Sequence, residues 1–215
     1  MQSPSDSLVK YIICQRNVFV KLYQPMITMK GADTMPLPNT RIYTIEDIYA
    51  LPEGERAELI DGVIYNMAPP TRLHQRLLFS ISRSIADYID AKGGECEVDI
   101  APFAVFLGED NKNYVEPDIS VICDKTKLTD KGCNGAPDFI IEIVSPGSRK
   151  MDYSTKNALY SDFGVREYWI VDPVKERTTV YRYEEDAAPM ITPFSMPITV
   201  GIYQDFAITI AELLD

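Results

Sequence analysis

"PDFIIEIVSP", residues 137–146, decides how this chain folds. Apart from Asp138, Glu142 and Ser145, the stretch is Phe, Ile, Val and Pro. Such an apolar, β-branched run reads as a strand covered on both faces, near the centre of a sheet. Glu142 stands in its middle. An ionised carboxylate in that setting is unfavourable unless something positive meets it. The strand therefore poses a chemical question: whether a lysine, a metal or nothing partners Glu142.

Working outward, "SRKMDYSTKNALYSDFG" reads as a helix ending at Gly164, and "REYWIVD" and "TTVYRY" as strands paired around Pro173. Upstream, "EPDISVICD" and "ECEVDIAPFAVFL" read as strands and "KTKLTDKGCNGA" as a polar loop. A long helix is expected over residues 71–92, its apolar stripe formed by Leu77, Leu78, Ile81, Ile85, Tyr88 and Ile89 and its stop by Gly93-Gly94. "RAELIDGVIYNM" predicts two short strands around an Asp61-Gly62 turn. In "TIEDIYAL", Thr44 is a helix cap with Asp47 three residues on. One or two short strands follow Glu184. The order of helix, strands, helix, strands predicts an α/β (α+β) fold, a mixed central sheet flanked by helices.

Residues 1–40 differ from this pattern and end in the breaker-rich "GADTMPLPNT". They read as an N-terminal extension, with a strand or short helix around residues 8–23 and alternative starts at Met29 and Met35. The domain proper is expected over 41–215. With 46% hydrophobic and 25% charged residues, the chain can bury a substantial core. Its formal net charge of −11 argues against a general nucleic-acid coat, although a local positive groove is compatible with it. Cys14, Cys96, Cys123 and Cys133 form no C-x-x-C pair, and His74 is the single histidine, which argues against a structural zinc site. Reduced thiols and a cytoplasmic location are expected. No apolar run is long enough to cross a bilayer, so no membrane role is expected.

Two acids occupy comparable positions. Asp118 begins an apolar strand after Pro117, and Glu142 lies within another. On neighbouring strands the two carboxylates would face each other and repel unless a cation sat between them. Mg²⁺ suits that arrangement, because it takes oxygen ligands and keeps several waters. Asp152 and Lys156 stand four apart on the following helix, on one face with Tyr160. The plain reading is a solvated ion pair. The alternative aims Lys156 back at Glu142.

"AELIDGVIY", "EPDISVI" and "GAPDFIIEIVSPGSRKMDYSTKNALYSDFGVREYWIVDP" together resemble the Uma-two restriction-endonuclease family of the PD-(D/E)xK nuclease superfamily. The resemblance covers roughly residues 40–185, and the block from Pro137 to Pro173 carries most of its specificity. It implies a restriction-endonuclease-like core and a Mg²⁺-dependent phosphodiesterase site, with Mn²⁺ as a substitute ion. It matches Asp118 to the motif aspartate, Glu142 to the motif glutamate, and Glu58 to an upstream metal-binding acid. Catalytic roles fall to Asp118, Glu142 and Lys156, and metal binding to Glu58, Asp118 and Glu142. The superfamily lysine stands two residues after the glutamate, where this chain has Val144. The resemblance places the replacement at Lys156, with Lys150 and then Arg149 as fallbacks. It implies a nucleic-acid substrate, DNA before RNA, and a homodimer that would cut two strands. A nuclease fold that binds without cutting is the competing reading, favoured by the net charge and by Val144.

His74, with Arg72 and Arg76 nearby, is a candidate substrate-binding patch in the first turn of the long helix. An exposed or locally bonded histidine is the preferred plain reading. Asp138 forms a second Pro-Asp pair, but a loop-ending or backbone-bonding role suits it better. Tyr160, Tyr168 and Trp169 are expected in the core. There is no P-loop, no G-x-S-x-G and no dinucleotide fingerprint.

Overall fold

The computed structural model describes residues 14–15, 18–19, 41–185 and 187–214. The chain divides into residues 1–40 and 41–215. Of the first unit, the strands β1 (Cys14–Gln15) and β2 (Val18–Phe19) pair antiparallel. The remainder of the element expected over 8–23 lies outside the described residues.

The second unit opens with helix α1 (Ile45–Tyr49), where Thr44 N donates to Asp47 Oδ2 at 3.0 Å. Strands β3 (Ala57–Ile60) and β4 (Val63–Asn66) form the expected hairpin. Its two turn residues both adopt positive φ, 51° at Asp61 and 74° at Gly62, as a two-residue hairpin turn of the primed type requires. A Cβ at Gly62 would also stand 2.5 Å from Ile42 Cγ2. Helix α2 (Arg72–Lys92) runs from its Thr71 cap to Gly93, which takes the left-handed conformation.

The next strands are β5 (Glu97–Ile100), β6 (Val105–Phe106), β7 (Tyr114–Val115) and β8 (Ile119–Ile122). The segment read as a polar loop instead holds two short strands, β9 (Leu128–Thr129) and β10 (Gly132–Asn134). They exist because β10 pairs in parallel with β6, a partner that local composition does not reveal. Then come β11 (Phe139–Ile143), a π-helical turn over Met151–Lys156, and α3 (Asn157–Asp162). The chain continues through β12 (Glu167–Asp172), β13 (Arg177–Arg182), β14 (Met190–Pro193), β15 (Ile198–Thr199) and β16 (Ala207–Ile208).

In place of one central sheet there are two six-stranded mixed sheets, ordered β4-β3-β7-β6-β10-β9 and β14-β13-β12-β11-β8-β5, beside the two-stranded pair β15-β16. "ECEVDIAPFAVFL" feeds both large sheets: β5 joins one and β6 the other, across a cis Ala101-Pro102 bond. Strand β11 is central. It runs parallel to β12 and antiparallel to β8, and its parallel neighbour is reached through α3, since parallel pairing needs a crossover.

The alternation along β11 divides the core. Phe139, Ile141 and Ile143 pack with Leu77, Ile81 and Ile85 of α2 and with Trp169. Ile140 and Val144 pack on the other side with Leu159, Tyr160 and Tyr168. Each Leu or Ile buried this fully contributes roughly 1.5–3 kcal/mol. Glu142 shares the parity of Ile140 and Val144, so it is directed toward α3 and away from α2.

Cys96 and Cys123 are joined by a disulfide, which corrects the expectation of reduced thiols for this pair. The physical reason is register. Glu97 pairs with Ile122, so one step further along both strands sets the two cysteines opposite each other. Cys133 is buried and free. Among the described residues no helix is long and apolar enough to cross a membrane.

Candidate active site

The acids meet because of sheet register. Strand β8 pairs with β11 as Ile119↔Ile141 and Val121↔Phe139, so the next step sets Asp118 opposite Glu142. Asp118 Oδ2 accepts from Ile143 N at 2.7 Å, which ties its carboxylate to the end of β11. Glu58 approaches from β3 of the other sheet, and its Oε1 accepts from Glu116 N at 3.0 Å.

Lys156 answers the question posed by Glu142. Its Nζ lies 2.8 Å from Glu142 Oε1 and 2.9 Å from Glu58 Oε1, and all three side chains are buried. Tyr160 OH donates to Glu142 Oε1 at 2.8 Å. The solvated Asp152–Lys156 pair is not formed: both residues are buried, and Asp152 instead accepts from Ser148 Oγ at 2.6 Å. The segment is a π-helical turn where an ordinary helix was expected. Such turns are rare in helix interiors and concentrate at functional sites. Lys150 is exposed, and Arg149 pairs with Asp172 at 2.6 Å, so neither fallback enters the cluster. Val144 is packed in the core.

These side chains line a cleft of about 500 Å³ whose walls include Glu58, His74, Asp118, Glu142, Asp152 and Lys156. His74 is buried, with Nε2 3.1 Å from Asp118 Oδ2. Its Nδ1 is buried and finds no hydrogen-bond partner among the described residues. The preferred reading of His74 as exposed or locally bonded is thereby corrected: its first-turn position on α2 points it across to the end of β8. Arg76 is also corrected. It lies outside the cleft lining and donates to the Leu214 carbonyl, because a two-residue step on a helix turns the side chain well away from His74. Arg72 is exposed. Asp138 accepts from Cys123 N at 2.8 Å, in the backbone-bonding manner anticipated for it.

Electrostatics follow from burial. Burial raises the Glu142 carboxyl well above the usual range; Lys156 opposes the rise, and Asp118, Asp152 and Glu58 add to it. Asp152 is pushed up to about 6, again mainly by burial. Burial alone would lower the Lys156 ammonium, but Glu142, Glu58 and Asp152 outweigh it, so the lysine stays charged. For His74, burial lowers the imidazole, and the hydrogen bond and charge of Asp118 turn the balance upward. Four carboxylates thus share one ammonium and one imidazole.

Three participants escaped the sequence reading. Asp152 reads in the sequence as one half of a solvated pair, and its four-residue spacing from Lys156 is the available signal. Glu116, two residues before Asp118, accepts from Tyr114 OH at 2.7 Å and from Arg56. Arg56 lies sixty residues from Glu116 in the chain, so no local pattern could link them.

The architecture matches a crystal structure described as "a putative nuclease belonging to DUF820" from Anabaena variabilis ATCC 29413. The TM-score is 0.66 at 20% identity, over 79% of this chain and 96% of that one. The fold is restriction-endonuclease-like. Relatives in sequence include two from Synechocystis sp. (strain ATCC 27184 / PCC 6803 / Kazusa). "Uncharacterized protein slr1290" is 26% identical over 135 residues, 62% of this chain and 70% of the relative. "Uncharacterized protein sll1609" is 25% identical over 163 residues, 74% of this chain and 90% of the relative. The Uma2 family model, described as "Putative restriction endonuclease", matches residues 45–200, and the chain belongs to that family.

Proposed function

We propose that the chain is a divalent-metal-dependent phosphodiesterase acting on nucleic acid, DNA before RNA. The observation that carries this reading is the ammonium of Lys156, held 2.8 Å from Glu142 and 2.9 Å from Glu58 in a cleft that Asp118 also lines. The donor set suits Mg²⁺, with Mn²⁺ as a substitute. The oxygens are hard carboxylate donors, and the cluster keeps an excess of negative charge that a divalent ion would balance. Among the described residues no three Asp, Glu, His or Cys side chains converge closely enough to hold an ion unaided. An ion there would keep several waters, as Mg²⁺ does.

Glu58, Asp118 and Glu142 are the residues that would hold it. Bound there, the ion would polarise a phosphoryl oxygen and acidify a water. The chain's own residues account for the rest. Lys156 keeps a positive charge beside the charge developing at phosphorus. Tyr160 orients Glu142 through its hydroxyl. Ile143 N and His74 hold Asp118 at the end of β8. A homodimer would set two such sites on two strands, and light scattering should then return about twice the chain mass of 24.3 kDa.

The test is cleavage of duplex DNA and of RNA by purified protein with Mg²⁺ or Mn²⁺, beside Glu142→Ala and Lys156→Ala. The wild type should cut and both variants should be inactive. Equal activity in all three would reveal a contaminating nuclease and end the catalytic reading. The second reading, a nuclease fold that binds without cutting, is favoured by a formal net charge of −11. It predicts binding by the wild type with no metal-dependent cleavage.

A further inference from the structure

We infer that Arg56 is the residue that receives the substrate phosphate backbone at the mouth of the cleft. The inference rests on the nucleic-acid reading of the site and adds a substrate-positioning residue to it.

Among the described residues, Arg56 and Lys156 are the two Lys or Arg side chains that line the cleft, against five acids: Glu58, Glu116, Asp118, Glu142 and Asp152. Lys156 is buried and engaged by two carboxylates. Arg56 is different: its side chain is 42% exposed. On a chain of net charge −11, a polyanion entering this cleft meets repulsion from the five acids, while the charge of Lys156 is already taken up by Glu58 and Glu142. The accessible cation at the rim is the group able to offset it.

Arg56 is also held in place. Its Nε donates to Glu116 Oε2 at 3.1 Å, and its Nη2 reaches the same oxygen. Glu116 is buried and braced by Tyr114 OH at 2.7 Å. Nη1 makes no hydrogen bond among the described residues. The Nε–Nη2 edge of the guanidinium is therefore clamped by Glu116, and the edge formed by Nη1 with Nη2 is left to meet an oxyanion with two donors. The clamp continues inward, because Glu116 N donates to Glu58 Oε1, and that same oxygen pairs with Lys156. A phosphate on Arg56 would thus sit in fixed relation to the Lys156 cluster.

The test uses the full chain and a fluorescein-labelled duplex DNA of mixed sequence, read by anisotropy with Ca²⁺ in place of Mg²⁺, followed by cleavage kinetics with Mg²⁺. Arg56→Ala should weaken binding roughly tenfold or more. It should lower the slope of log affinity against log salt by about 0.9, the signature of one lost phosphate contact. KM should rise with kcat little changed. Arg56→Lys preserves the charge and the fold, so it should restore the salt slope while recovering only part of the affinity. Wild-type affinity and salt slope in Arg56→Ala would overturn the assignment, as would a wild-type chain that binds no DNA. Loss of binding in Arg56→Ala beside a wild type that never cuts would uphold Arg56 and refute the hydrolytic reading alone.

Discussion

At Lys156 two large effects oppose each other, and the winner sets the chemistry. Burial disfavours the ammonium, yet the flanking carboxylates keep it charged. Removing it leaves Glu58 and Glu142 facing each other in a dry site. Lys156→Ala should lower metal-free stability by about 3–5 kcal/mol, measured by urea unfolding in chelator. A loss well under ~1 kcal/mol would show that the pair is solvated after all. Asp152 gives a pH test. Its carboxyl is raised from 3.8 to about 6 in the folded chain, so the native state holds the proton more tightly than the unfolded state. The stability it contributes is complete below the unfolded value and is lost as pH rises through about 6. Between about pH 4 and pH 7 the wild type should lose up to about 3 kcal/mol relative to Asp152→Asn. Identical pH slopes for the two proteins would refute that environment. Glu142 stood out in the sequence by being charged inside an apolar run. Asp152 and Glu116 did not, because their identity as site residues depends on neighbours brought in from other elements.

Among the elements, α2 and β10 carry separate lessons. The period of Leu77, Ile81, Ile85 and Ile89 announces α2, and Gly93 its end, since one face must be buried and the chain must then turn left-handed. The cap matters for function as well as stability. Thr71 Oγ1 accepts from His74 N at 3.2 Å, so the cap fixes the turn that carries His74 to Asp118. Thr71→Ala should cost about 1 kcal/mol by thermal unfolding and lower catalytic rate through a looser His74. Unchanged rate with the stability lost would confine Thr71 to capping. Strand β10 is hidden in the sequence because it is short and is set between β6 and β9, a placement that local composition does not reveal. Its Gly132 has φ +132°, and a Cβ there would stand 2.2 Å from the Ala104 carbonyl oxygen. Gly132→Ala should therefore destabilise by more than about 1 kcal/mol, and wild-type stability would mean that the two strands are not packed this closely. The π-helical turn is likewise invisible in the sequence, because nothing in the order of its residues separates it from an ordinary helical turn, and the widening accompanies the seating of Lys156 and Asp152 inside the protein.

For the molecule as a whole, excess negative charge joins the fold to its ligand. A divalent ion that binds only the native cluster should stabilise it by about 2.7 kcal/mol at a hundred times its dissociation constant. Thermal shifts should therefore rise with Mg²⁺ in the wild type and stay flat in Glu142→Ala; parallel shifts in both would place ion binding elsewhere. By itself the sequence determined the central strand, the long helix, the Asp61-Gly62 hairpin and the anomaly of Glu142, because each is written in local periodicity or in one residue at odds with its surroundings. Only the tertiary structure decided that two sheets take the place of one, that Cys96 meets Cys123, that Arg76 leaves the site while His74 enters it, and that Glu58 shares Lys156 with Glu142. Those outcomes depend on register and crossover between segments far apart in the chain, where the energy lies in contacts that no local window contains.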